Sequence, residues 1–143
     1  MQLTLHTDYA LRILMYLASQ PGKRVTVVEL ATFYNVSRNH LVKVVQGLVE
    51  HQLVETTRGK NGGMQLASDS KNISIGHVVR KMENHFNIVE CFDPAQAECT
   101  LDGACRLKGV LANAADVFLS SLDNISLADL VKPRLRQHIV NLQ

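Results

Sequence analysis

Residues 26–66 read TVVELATFYNVSRNHLVKVVQGLVEHQLVETTRGKNGGMQL, and this stretch decides the fold. Thr26, with Glu29 three residues on, is a capping box that predicts a short helix through Tyr34. Asn35-Val36 makes a tight turn, and Ser37 caps a further helix running to about His51. In that helix Leu41, Val44, Val45 and Leu48 share one inward face, which leaves Arg38, Asn39, His40 and Lys43 outside, mostly at the N-terminal end. Two short helices joined by a few residues form a helix-turn-helix, whose second helix lays its N-terminal end in the major groove of DNA. Leu53–Thr57 is rich in β-favouring residues, and Met64-Gln65-Leu66 reads as extended. Asn61-Gly62 in the glycine-rich tip between them signals a hairpin. A hairpin directly after a recognition helix is a wing.

Ser37, Arg38, Asn39, His40 and Lys43 on the helix, with Arg58, Lys60 and Asn61 on the wing, are therefore the candidate DNA contacts. Arginine can read guanine and asparagine adenine, while His40 or Lys43 can meet a base or a phosphate. The wing's glycine-rich backbone can approach a phosphate or the minor groove closely. Alone, the helix could be a solvated face and the wing a flexible tip; their succession favours the DNA reading. Gly59-Lys60 is not a nucleotide P-loop, because neither Ser nor Thr follows and no helix starts there.

Upstream, Thr7 or Asp8 is expected to cap a helix with Tyr9, Ala10, Ile13, Leu14 and Leu17 on its buried face, ended by Pro21-Gly22. Downstream, Ser74 caps a helix from about Ile75 to Glu83, and residues 84–104 read as an irregular loop. A long helix follows from about Cys105 to Asp123, with a coiled-coil-like seam of Leu107, Leu111, Ala114 and Phe118. Ser126 caps a last short helix through Val131, and the tail after Pro133 is expected to fray. The fold class is mainly α. A winged helix-turn-helix domain is expected over 1–83, a cysteine loop over 84–104, and a dimerisation helix with a short C-terminal helix over 105–143.

Charge follows the same division. Residues 1–83 hold ten Lys and Arg against six Asp and Glu, a net +4, whereas residues 84–143 carry −2. The basic surface lies on the half expected to meet DNA. No apolar run approaches a membrane span, and the first residues lack the layout of a signal peptide, so the cytoplasm is the expected compartment. No Cys-x-x-Cys, Ser/His/Asp set or catalytic carboxylate pair supports an enzyme.

Cys91, Cys99 and Cys105 are the only cysteines, separated by seven and five mostly small or polar residues. Buried structural cysteines sit on apolar faces, unlike these. Three thiolates folded about one point need a cation, and soft ligands suit zinc or an iron–sulfur cluster. Zinc sites usually include a closer Cys pair, which disfavours zinc, although His85 could complete one. Wider spacing suits a cluster, and Cys105 at a helix start adds positive dipole. A thiol redox switch remains an alternative.

Leu3-Thr4, Thr7-Asp8-Tyr9-Ala10-Leu11-Arg12, Val36–Lys43, Arg58–Gly63, the cysteine trio and Leu127-Ala128-Asp129-Leu130 together resemble a family of iron–sulfur winged-helix transcriptional regulators, over nearly the whole chain. Within it the chain looks most like the nitric-oxide-sensitive repressors. The cluster-assembly branch places a histidine ligand three residues after the third cysteine, where this chain has Lys108. The resemblance implies a homodimer on double-stranded operator DNA. It also implies a 4Fe–4S rather than a 2Fe–2S cluster, held by Cys91, Cys99 and Cys105 and by Asp8 from the partner subunit. Nitric oxide would displace Asp8 and move the recognition helices out of register. Locally, Asp8 is equally well read as a helix cap. An iron- or redox-sensing regulator of the same family is the alternative.

Overall fold

The computed structural model describes residues 2–95 and 98–142, so residues 96 and 97 of the expected cysteine loop lie outside it. Among the described residues seven α-helices and one hairpin follow in chain order: α1 (Leu5–Ser19), α2 (Val27–Tyr34), α3 (Arg38–Glu50), β1 (Val54–Thr57), β2 (Gly63–Leu66), α4 (Ile75–Met82), α5 (Arg106–Asp123), α6 (Leu127–Leu130) and α7 (Pro133–Asn141). Helix α1 runs through the centre, packing against α3, α4, α6 and α7. Its Ala10, Ile13, Leu14 and Tyr16 are completely buried.

The start of α1 differs from expectation. Thr4, not Thr7 or Asp8, caps it: the Thr4 Oγ accepts the Thr7 N–H at 3.3 Å. The Thr4 N–H and hydroxyl in turn donate to the Glu83 carboxylate beyond α4, at 2.6 and 3.1 Å. This long-range tether extends the helix back to Leu5 and leaves Asp8 inside its first turn.

In the helix-turn-helix, Thr26 Oγ accepts the Glu29 N–H at 3.1 Å, and Asn35 closes α2 in the left-handed region at φ 52°. Asparagine tolerates that conformation better than most residues do. Ser37 then caps α3 by accepting the His40 N–H. Tyr16 donates to Glu29 at 2.8 Å and Lys23 pairs with the same oxygen at 2.7 Å, fastening α1 to α2. Burial alone would raise the Glu29 carboxyl, but the bonds from Lys23 and Tyr16 outweigh it and hold the group below its ordinary value. A carboxyl lowered on folding stabilises the fold above its unfolded pKa and loses that contribution as pH falls through the lowered value. Glu29→Gln is therefore expected to flatten the acid limb of stability against pH, measured by urea unfolding between pH 3 and 7, with a modest effect because the pair is partly exposed.

The wing pairs Val54 with Leu66 and Thr57 with Gly63 in antiparallel register. Its base is pinned by Val25, which exchanges both backbone hydrogen bonds with Met64 at 3.0 and 2.7 Å. Gly62 has no room for a side chain, since a Cβ would lie 2.5 Å from the Thr57 carbonyl oxygen.

Helix α5 is anchored at its C-terminal end. Arg80 of α4 forks onto both carboxylate oxygens of Asp123, and Ser74 Oγ donates to the Asp123 carbonyl at 3.1 Å. Gly76 lies against Asp123 so closely that a Cβ would fall 2.7 Å from the Asp123 nitrogen. Gly76→Ala must push α4 and α5 apart; a loss of about 2 kcal/mol is expected by denaturant unfolding, in the range of overpacked cores.

Two further expectations are corrected. The expected seam of α5 is divided: Leu111 and Phe118 are half-buried, Phe118 against the core, whereas Leu107 and Ala114 are exposed. The outward apolar stripe is Leu107, Val110, Ala114 and Val117, with Leu107, Val110 and Val117 at 61, 64 and 61% exposure. The tail after Pro133 is also helical. Pro133 takes the first helical position, where its missing N–H costs nothing, and Ile139 is only 4% exposed. Residues 84–104 are irregular as expected, with one 3₁₀ turn at Glu90–Phe92 among the described residues.

Candidate functional site

The N-terminal end of α3 and the wing tip carry the candidate DNA contacts. Ser37, Arg38, Asn39 and Lys43 are exposed, as are Arg58, Lys60 and Asn61. Among the described residues, none of the four cations Arg38, Lys43, Arg58 and Lys60 has a salt-bridge partner. No acidic residue lies in the first turn of α3. Free cations beside the positive end of a helix dipole, with no acid in its first turn, suit phosphate and base edges.

His40 departs from this group. It is half-buried, with its ring edge-on to Tyr9 of α1 at 5.2 Å between centroids, and its Nε2 is buried without a hydrogen-bond partner among the described residues. Helical spacing could not reveal this, because the ring that draws it inward lies thirty-one residues away. Here His40 braces α3 against α1.

Asp8 also has a definite setting. Both its oxygens are held by Arg12, with Nε donating to Oδ1 at 3.0 Å and the second contact to Oδ2 at 2.7 Å. The Arg12 guanidinium in turn lies over the Tyr9 ring, 5.4 Å from its centroid. Asp8, Arg12, Tyr9 and His40 thus form a continuous row of contacts from the first turn of α1 to the recognition helix. Asp8 is 38% exposed, which leaves the pair within reach of solvent.

The cysteine loop lies at the opposite end of the sequence. Cys91 sits half-buried in the 3₁₀ turn, Cys99 is exposed, and Cys105 is the half-buried N-cap of α5; all three thiols are free. No three His, Cys, Asp or Glu side chains among the described residues come together as a metal-binding group. Among the described residues the three thiols do not form such a group within the single chain, and the Asp8 ligand is the one expected from a partner subunit. The donor chemistry nonetheless fits an iron–sulfur centre, since these are three free thiols, one of them at a helix N-terminus, with a cation alongside. That cation is Lys108, whose Nζ meets Asp102 Oδ1 at 2.7 Å. The Asp102 bond and its charge hold the ammonium above its ordinary value, with smaller contributions from Cys91 and Cys105. The sequence does not announce the pairing of Lys108 with Asp102. Two opposite charges six residues apart across a loop carry no periodic signal.

With this geometry in view, comparison with known proteins is informative. Residues 3–133 match the model of the Rrf2 family, described as an iron-dependent transcriptional regulator. The chain belongs to the Rrf2 family. It is 47% identical over 133 residues to the HTH-type transcriptional regulator NsrR of Bacillus subtilis, covering 92% of this chain and 91% of that protein. Among solved structures, CymR, the global cysteine regulator of B. subtilis, aligns with a TM-score of 0.70 at 25% identity, covering 92% of this chain and 96% of that one. IscR of T. potens aligns with a TM-score of 0.74 at 22% identity over 94% and 88% of the two chains, a likeness of fold. The Rrf2 relatives are named as transcriptional regulators, a non-enzymatic class. No helix among the described residues is long and apolar enough to cross a membrane.

Proposed function

We propose that this Rrf2 protein is a homodimeric repressor whose hold on operator DNA is set by a nitric-oxide-sensitive iron–sulfur cluster. The observation that carries the reading is the presence on one chain of a cation-bearing helix-turn-helix with its wing and a separate segment, residues 91–105, that carries all three cysteines. Its similarity to the B. subtilis regulator named NsrR supports the nitric-oxide assignment.

In this reading Cys91, Cys99 and Cys105 hold the cluster, 4Fe–4S in preference to 2Fe–2S, and Asp8 of the partner subunit supplies an oxygen ligand. When bound, the cluster supplies iron that reacts with nitric oxide. The chain's own residues do the rest. The outward stripe of α5 joins two copies, so that two α3 helices can enter major grooves about 34 Å apart. Arg38 and Asn39 read bases, while Ser37, Lys43, Arg58, Lys60 and Asn61 position the backbone. His40 holds α3 to α1. Because Arg12 occupies both oxygens of Asp8, any new partner for Asp8 disturbs the Arg12–Tyr9–His40 row and with it the seating of α3.

The family description as iron-dependent favours a second reading, a regulator that responds to iron supply or redox state through the same cysteines. Anaerobic anisotropy titrations on operator DNA separate the two. Nitric oxide is expected to weaken binding at least tenfold. Equal affinity before and after nitric oxide, with a loss on iron chelation alone, would establish the second reading instead.

A further inference from the structure

The first turn of α5 is electrostatically frustrated. Cys105 occupies the cap position without a side-chain cap bond, no acid lies in the first turn, and Arg106 and Lys108 stand there instead. Cations at the positive end of a helix dipole oppose its field, so an eighteen-residue helix that begins this way calls for an anion nearby. Two overlapping turns bring the chain back from Cys99 to this point: Asp102 N–H donates to the Cys99 carbonyl at 3.0 Å and Ala104 N–H to the Leu101 carbonyl at 3.2 Å, with Gly103 at φ 85°. Asp102, in the overlap, is the residue that Lys108 grips at 2.7 Å. Lys108 and Asp102 also line a cleft of about 680 Å³ with Cys91, Phe86 and Phe92.

We propose that Lys108, clasped to Asp102, is a positioning residue of the cysteine site, fixing the Cys99 turn against α5 and presenting a fixed positive charge to the anionic group bound there. The proposal rests on the cysteine-held iron–sulfur cluster put forward above. It assigns the Lys108 side chain two separable effects. The clasp keeps the loop closed and so prolongs cluster retention. The ammonium favours the more negative state of the cluster and so raises its reduction potential, as charge near a cluster does.

The test uses the anaerobically purified full-length protein and its Lys108→Met, Lys108→Arg and Asp102→Asn variants. Iron and sulfide content, the rate of cluster loss to a chelator and the reduction potential are measured on each, with far-UV circular dichroism to confirm folding. Lys108→Met is expected to lose its cluster roughly fivefold faster, the size of one partly exposed charge pair, and to show a lower potential. Asp102→Asn is expected to lose its cluster comparably fast without a lowered potential, because the ammonium remains. Lys108→Arg is expected to restore both properties. A cluster-bearing Lys108→Met protein with wild-type loss rate and potential would overturn the proposal alone, as would a Lys108→Arg protein as impaired as Lys108→Met. A wild-type protein without iron and sulfide would overturn the cluster reading along with it.

Discussion

Replacing Arg38 and Asn39 together by alanine is expected to leave the protein folded and to reduce specific operator affinity at least a hundredfold. Both side chains are exposed at the N-terminal end of α3, so their removal opens no cavity. Each residue can make a bidentate contact with a base edge, and such a contact is worth about 1–3 kcal/mol of discrimination. Binding to non-specific DNA should fall much less, because Lys43, Arg58 and Lys60 still neutralise phosphates. Anisotropy titrations on operator and scrambled DNA at two salt concentrations would measure both. Equal losses on the two DNAs would mean that the pair serves only as backbone cations.

The second large effect concerns the outward face of α5. Val110 and Val117 are 64 and 61% exposed in the single chain, so aspartate at both positions costs the isolated subunit little. If the stripe is a subunit interface, two buried, unpaired carboxylates per chain would face their counterparts across it. Val110→Asp with Val117→Asp is therefore expected to convert a dimer to monomers at micromolar concentration in sedimentation velocity. Operator affinity should then drop more than a hundredfold, because each half-site binds alone without the high effective concentration of a linked pair. A double variant that remained dimeric would place the interface elsewhere.

How far the sequence could be read depended on whether each signal was local. Thr26, Ser37 and Ser74 cap the helices that their spacing announced, and Asn61-Gly62 lies in the hairpin tip. These depend on neighbours within a few residues. The misplaced start of α1 depended on Glu83, a partner seventy-nine residues from Thr4. The tail after Pro133, expected to fray, is instead a helix that Pro133 opens, because proline suits the first helical position. On α5 the periodicity merged two apolar stripes into one seam, since spacing cannot say which face meets the same chain and which a second copy. The cysteine spacing indicated a shared loop, but spacing alone does not bring three thiols to one point. The contact of His40 with Tyr9 has no signal in helical spacing, because the two residues lie on different helices.

The central claim is that two copies of this chain share cysteine-held iron–sulfur clusters, and native mass spectrometry of anaerobically purified protein tests it most directly. The account predicts a dimer carrying the mass of two 4Fe–4S clusters, reduced to the bare dimer when Cys91, Cys99 and Cys105 are replaced by serine. A zinc-bearing or empty species from the same anaerobic preparation would contradict it.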